Sequence, residues 1–247
     1  MSVKYKNIVY DRWLADILKR EAYQLVVDND LIETANEPTS EEYNLLRDLQ
    51  SKPVFIYSKV PTEFLAAVRF LEGQGFNLID TNVIFDKPIA PEQDFSGYCN
   101  VRFAVPEDQN QVMQLSRKSF AYSRFYLDSA FPREVADAIK AEWVKGYFTG
   151  NRGDNMVVGL ADDKVVGFLL LLYGGEETLI IDLIATDEKY RRRGVAKDMI
   201  AYAESQCHGF TRIRVGTQLA NVPSMRLYEG TGFKTATAQY TFHYHHG

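Results

Sequence analysis

Cysteine is scarce in this chain of 247 residues: there are two, Cys99 and Cys207, far apart and in no metal-type spacing. That excludes a disulfide framework and a zinc-knuckle arrangement and leaves two reduced thiols as the expectation. Positive charge is not in excess either. Lys and Arg number 28 against 33 Asp and Glu, a net charge of -5, so no general nucleic-acid footprint exists and an anionic ligand must be held locally. No apolar run approaches the roughly 20 residues that span a bilayer, so no membrane partner is expected. The opening MSVKYKNIVYDRW lacks the apolar core of a secretory signal, and the expectation is a cytoplasmic protein.

What the chain has is the composition of a folded domain, 46% hydrophobic and 25% charged, in enough residues for two small units. In the first part, residues 11–20 read as a helix, 23–27 as a strand, 40–49 as a helix opened by Ser40 and acids, and 53–60 as a strand. A helix from Pro61 to Leu71 and a strand over 76–85 follow. Periodicity then fails over DKPIAPEQDFSGYC, residues 86–99, which predicts a linker. The boundaries adopted are a divergent N-terminal α/β domain at 1–88, a linker at 89–99 and a second domain at 100–247. That second domain reads as a strand, two helices (to about Ser119 and over 132–148), and strands at 155–161, 164–173 and 177–186. A helix at 193–206, a strand at 211–217, a helix at 222–230 and a strand at 233–242 complete a mixed α/β (α+β) order. LEGQGF at 71–76 echoes YEGTGF at 228–233, each ending a helix and opening a strand, as a degenerate duplication would.

Residues 179–204, LIIDLIATDEKYRRRGVAKDMIAYAE, run from an apolar strand through a basic turn into a helix. Such a turn offers free backbone N–H groups at a positive helix end, a site for phosphate oxygens. Gly194 lets a ligand approach, Ala196 keeps the first turn small, and Arg191, Arg192 and Arg193 add charge. Alone, this is equally a solvated basic helix start. Arg191-x-x-Gly194-x-Ala196 resembles the pyrophosphate-binding signature of the GNAT superfamily of N-acetyltransferases. Asn221-x-x-Ser224-x-x-x-Tyr228-x-x-x-Gly232-Phe233 resembles that superfamily's second element, with Ser224 where alanine is usual.

The resemblance implies the GNAT fold from about residue 100 onward, a mixed and mostly antiparallel sheet with flanking helices, preceded by a smaller degenerate GNAT-like domain. It implies acetyl-CoA as co-substrate and no metal. Ile184, Ala185 and Thr186 would pair with the pantetheine arm. Arg191, Arg192, Arg193, Gly194, Val195, Ala196 and Lys197 would wrap the pyrophosphate, Asn221 would contact the cofactor, and Tyr228 would be the proton donor. A phenol, protonated at neutral pH, suits that role toward a departing thiolate. For the base, Asp182 leads over Glu176 and Glu177, because two residues before Ile184 places it on that residue's strand face.

The acceptor is expected to be a small-molecule amine. SFAYSRFYLDSAF at 119–131 holds five aromatics and Arg124, which suit a nucleobase, a sugar and a phosphate or equally a buried connector; Tyr122, Ser123 and Arg124 are the candidate substrate residues. The phrase Phe120-Ala121-x-Ser123-Arg124-Phe125, the two-part layout and RVGTQLANVPSMRLYEGTGF are similar to bacterial dTDP-fucosamine acetyltransferases. This implies a nucleotide-linked 4-amino-4,6-dideoxy sugar as acceptor and a role in polysaccharide biosynthesis; a peptide or other small amine is the alternative, and a homodimer is possible. His243 and His245 share a strand face and permit a metal pair, but no third ligand cluster is visible beside His243, His245 and His246, which read as terminal polar residues.

Overall fold

A computed structural model describes residues 6–35, 37, 40–89 and 97–247. The first part supplies β1 (Ile8–Tyr10), α1 (Arg12–Leu18), β2 (Glu21–Leu25), α2 (Asn29–Thr34), α3 (Glu41–Gln50), β3 (Val54–Pro61), α4 (Leu65–Gly73) and β4 (Asn77–Pro88). The second supplies β5 (Asn100–Phe103), α5 (Gln109–Ser119), α6 (Arg124–Leu127), α7 (Arg133–Phe148), β6 (Asn155–Ala161), β7 (Lys164–Gly174) and β8 (Thr178–Thr186). It continues through α8 (Val195–Gln206), β9 (Arg212–Gln218), α9 (Val222–Gly230) and β10 (Lys234–His246). No helix among the described residues is long and apolar enough to cross a membrane.

Caps and periodicity account for most of these. Ser40 caps α3 by accepting from Tyr43 N, and Asp28 caps the short α2, which periodicity did not disclose. The expected linker begins later than its composition suggested: Asp86, Lys87 and Pro88 pair with Arg214, Ile213 and Arg212 of β9. Most of 89–99 lies outside the described residues.

The sheet is mixed and mostly antiparallel, with ten strands among the described residues in the order β1-β2-β3-β10-β4-β9-β8-β7-β6-β5. Only β2–β3 and β8–β9 run parallel. The two parts exchange their last strands: β4 lies between β9 and β10, and β10 lies between β3 and β4. The order is therefore nearly symmetric about the β10–β4 pair, and the repeated words sit at equivalent places. Phe76 N donates to Leu71 O at 3.0 Å and Phe233 N to Tyr228 O at 3.0 Å, with Gly75 and Gly232 at φ 80° and 89°. This is the glycine-terminated helix stop used twice.

One face of the sheet carries two joined cores. The first packs α8 and α9 through Val195, Met199 and Tyr228 onto Leu179, Ile181, Val215 and Phe85. The second packs α2, α3 and α4 through Leu31, Leu46 and Leu71 onto Ile56 and Phe242. The opposite face is covered at one end by α5 and α7 over β6–β8 and at the other by α1, α6 and α7 around Phe55 and Phe131. Between these two coverings the strands present polar side chains instead.

Candidate active site

Parallel pairing of β8 with β9 runs from Thr178↔Arg212 to Ile181↔Val215 and stops there, although β8 continues to Thr186 and β9 to Gln218. Ile184, Ala185 and Thr186 remain bonded to Leu169, Phe168 and Gly167 of β7, so their other edge faces a gap. An open edge of this kind accepts an extended ligand by backbone hydrogen bonds. The corresponding pair in the first part, β2–β3, is bonded along all five residues of β2, and no gap opens there.

Just beyond the end of β8, and packed over Gly159 and Gly167 of β6 and β7 through Val195, Gly194 takes the cap position of α8 at φ 98°, with no side-chain cap. The first helical bond is Asp198 N to Gly194 O at 2.9 Å, which leaves the N–H groups of Val195, Ala196 and Lys197 without helical partners. Residues 191–194 are exposed, and Arg192 shares the left-handed backbone at φ 62°. The arginines are not equivalent. Arg193 donates to the Tyr98 hydroxyl at 2.9 Å, and Arg191 Nε donates to Thr186 O at 3.3 Å. Asp198, which the sequence did not single out, accepts from Cys99 N at 3.2 Å and ties residue 99 to the first turn of α8. Cys99 and Cys207 are free and buried, and burial pushes the Cys99 thiol up to about 12.

Tyr228 is 2% exposed, in the same core as Ile181 and Val215, the last residues paired before the gap. Its ring lies 5.8 Å from that of Phe85 and 5.6 Å from that of Phe233. Burial pushes its hydroxyl pKa up, and among the described residues no group hydrogen-bonds it. Asn221 has a local task. Its side chain caps α9, accepting from Ser224 N at 3.3 Å, and it donates to Thr217 Oγ1 at 3.4 Å. The Asn-x-x-Ser spacing is thus a helix start that aims Tyr228.

Asp182 departs from expectation. Leu170 pairs with Leu183 and Leu171 with Ile181, so Asp182 is the extra residue of a β-bulge, and the alternation that put it on the face of Ile184 is reset there. Its side chain points to α7. Oδ2 accepts from Trp143 Nε1 at 2.7 Å, Tyr147 Oη at 2.8 Å and Arg152 Nε at 3.1 Å; Oδ1 accepts from Arg152 Nη2 at 3.1 Å. Glu176 and Glu177 lie in the β7–β8 turn at positive φ.

On the face opposite Tyr228, register places Lys59, Thr241 and Asp80 in one row across β3, β10 and β4. Gln239, Asn82 and Gln218 form the next row, because residues opposite one another share a face. Gly216, paired with Ile84, lets the Ile84 and Asn82 side chains close over the strand, 3.1–3.3 Å from where a Cβ would stand. The Arg124 guanidinium lies 4.1 Å from the Tyr57 ring centre and 4.6 Å from that of Phe125. Ser123 is buried with an unpartnered hydroxyl, and Tyr122 is exposed. Lys140 of α7 sits over Trp143 at 4.4 Å and Phe120 at 5.1 Å. Burial pulls its ammonium down to about 7, against the pull of Asp182 and helped by Arg124, Arg152 and Lys59. Desolvation raises buried Asp80 to about 6; Lys59 keeps an exposed side chain, and the crowding of the cleft around it lowers its ammonium pKa. A signal for Lys140 was present in the sequence: it falls on the apolar stripe of its helix, with Ala136, Ile139 and Val144.

His243 and His245 do gain a third neighbour, Asp128, invisible in sequence because it lies on another segment. Ligand atoms of the three lie within 4.8 Å of one another. Asp128 Oδ2 accepts from His243 Nδ1 at 2.6 Å and His245 Nε2 at 2.7 Å. The remaining ring nitrogens face Arg124 Nη1 at 3.4 Å and Arg20 Nη2 at 2.8 Å. Arginine only donates, so those nitrogens are acceptors, and the protons sit on the nitrogens facing Asp128. A metal there would reverse both rings and set N–H against N–H, so the arrangement fits a proton-bearing network. Burial holds His243 down at about 4. Hydrogen bonds from both histidines hold Asp128 below the carboxylate range, outweighing its burial.

An unfolded histidine binds its proton near pH 6.5, so the unfolded chain gains a proton that native His243 refuses. Stability is therefore complete above about pH 6.5 and falls between there and pH 4, by roughly 3 kcal/mol. Melting temperatures across this range should drop for the wild type and flatten for His243→Gln. Equal slopes for the two would refute the assignment.

Residues 111–233, about half the chain, match the family model described as Acetyltransferase (GNAT) family. The spore coat polysaccharide biosynthesis protein SpsD of Bacillus subtilis is 28% identical over 200 residues, 78% of this chain and 66% of that protein. The match thus spans slightly under two thirds of that relative's length. Among solved structures, a conserved protein of unknown function from Staphylococcus epidermidis matches at a TM-score of 0.65 and 13% identity, covering 100% of this chain and 94% of the other. An N-acetyltransferase of Sphaerobacter thermophilus matches at 0.62 and 12%, covering 96% and 75%. At such identities the structural matches speak for the fold.

Proposed function

The chain belongs to the GNAT family of acetyltransferases, and from that premise we propose that it moves the acetyl group of acetyl-CoA onto the amino group of a nucleotide-linked amino-deoxy sugar. The observation that carries the transfer is the gap beyond Ile181 and Val215, with an uncapped helix N-terminus at one side and Tyr228 in the core that borders it. In this reading the pyrophosphate rests on the N–H groups of Val195, Ala196 and Lys197, approached by Arg192 and by the terminal Nη groups of Arg191, whose Nε holds Thr186 O. The pantetheine arm pairs with Ile184, Ala185 and Thr186.

The acceptor nitrogen attacks the thioester carbonyl carbon. The tetrahedral intermediate collapses, the C–S bond breaks, the sulfur takes the proton of the Tyr228 hydroxyl, and the surplus proton on the acceptor nitrogen passes through water to restore the phenol. Burial raises the phenol's pKa, but it disfavours a bare thiolate as well, so the transfer stays matched. Asp182, with four accepted hydrogen bonds, anchors α7 to the bulge and is assigned no proton transfer in this reading. Asn221 serves by capping α9, and Arg193 by holding Tyr98.

The sugar-nucleotide acceptor is supported by the relative named for polysaccharide biosynthesis and by the polar floor flanked by Arg124, Tyr57 and Phe125. The test is CoA release from purified protein against a panel of amino-sugar nucleotides, free amino sugars and peptides. Turnover of an amino-sugar nucleotide at least ten-fold above every peptide is expected. Turnover confined to peptides would overturn the acceptor class.

A further inference from the structure

Three cations from both parts of the chain lie near one another: Lys59 shares a face of β3 with Tyr57, Arg124 of α6 lies 4.1 Å over the Tyr57 ring, and Lys140 of α7 is within reach of the charge of both. Each is close enough to feel the charge of the others, and among the described residues none of the three forms an ion pair. Arg152, by contrast, is paired with Asp182. Aromatic faces support two of them, Tyr57 and Phe125 under Arg124 and Trp143 and Phe120 under Lys140, and such faces hold a cation without consuming its N–H donors. Cations gathered in a cleft of low dielectric repel one another and invite an anion with several oxygens. They equally repel a cationic peptide.

We propose that Lys59, Arg124 and Lys140 form a clamp for the diphosphate of the acceptor, so that the sugar nucleotide binds across the two parts of the chain with its amine directed along Asp80, Asn82 and Gln218 to the gap. This rests on the sugar-nucleotide reading above and extends it, because it gives the N-terminal part a direct role in the site. That part keeps the strand frame, lacks a gap of its own, and supplies Lys59, Asp80 and Asn82 to the floor.

The clamp has a protonic signature. Lys140 faces Asp182 from β8, Arg124 from α6, Lys59 from β3 and Arg152 from the segment after α7, and like charges outnumber the one carboxylate among them. An anion placed there restores its proton, so binding at pH 8 takes up protons and binding at pH 6 does not. The experiment is calorimetric titration of thymidine diphosphate into the full chain saturated with CoA, in buffers of different ionisation heat. Saturation keeps the probe off the helix terminus of α8.

Wild-type protein is expected to bind with proton uptake at pH 8. Lys59→Met and Lys140→Met should each weaken binding at least ten-fold, with CoA affinity retained as the check on folding. Lys140→Arg should restore binding with the uptake reduced to the share that Lys59 supplies. Equal affinity of wild type and both methionine variants would overturn the clamp and leave the acceptor class standing. Failure of thymidine diphosphate to bind wild type, together with acetylation of a phosphate-free amine, would overturn the acceptor class and the clamp together.

Discussion

Replacing Tyr228 with phenylalanine is expected to lower kcat by about 10²- to 10⁴-fold, the span typical of a positioned general acid, with acetyl-CoA affinity changed by no more than a few-fold. The ring is buried between Phe85 and Phe233, and phenylalanine preserves that packing. Among the described residues the hydroxyl has no protein partner, so removing it leaves no donor or acceptor stranded, and melting temperature should hardly move. An equal fall in kcat and kcat/KM would show an interaction made in the transition state alone. Stopped-flow turnover alongside CoA titration separates these quantities. A kcat within three-fold of wild type would remove Tyr228 from the chemistry and leave it a core aromatic.

The second large effect concerns stability. Asp182→Ala should reduce folding stability by about 3 kcal/mol, since breaking one side of a buried ion pair strands its partners. Those partners are the Trp143 indole N–H, the Tyr147 hydroxyl and the Arg152 guanidinium. The Asp182 side chain is 9% exposed and that of Arg152 is 30% exposed, so water compensates only part of the loss. The Arg152 contact with Trp143 at 4.1 Å persists and prevents complete collapse of the cluster. Denaturant midpoints measure the loss. The milder Asp182→Asn tests the discarded base role: its pH–rate profile should keep the wild-type shape. A variant of full stability that loses one limb of that profile would return Asp182 to catalysis.

These two residues mark where sequence reasoning reached and where it stopped. The helix that carries Tyr228 was readable because its signals are local. A cap at Asn221, a helical spacing of seven and a glycine stop at Gly232 all lie within one segment. Asp182 was misplaced because a bulge is a property of two paired strands. Strand alternation in β8 alone cannot reveal that Leu170 pairs with Leu183 while Leu171 pairs with Ile181. Lys140 lay between these cases, visible as a charge on an apolar stripe but without a reason until Arg124 and Lys59 were placed opposite it. Asn221 shows a spacing for which the structure supplies a local cause: its side chain caps the helix it starts.

The repeated words at 71–76 and 228–233 likewise reported two equivalent helix stops. They could not report that the strands following them change places. β4 and β10 carry similar patterns and follow similar helices, and which edge each one joins is decided by contacts far away in sequence.

By itself, then, the sequence determined the order of the longer elements, the anion-ready turn at Arg191–Ala196 and the helix that carries Tyr228, because backbone caps, glycine conformations and periodicity act over a few residues. Only the tertiary structure decided that β8 and β9 part after Ile181, that Asp182 turns away to Arg152, that Asp128 reaches His243 and His245, and that Lys140 comes within reach of the charge of Arg124 and Lys59. Each of these depends on which distant strand or helix is adjacent, a choice made by the packing of the whole sheet and not by any segment of it.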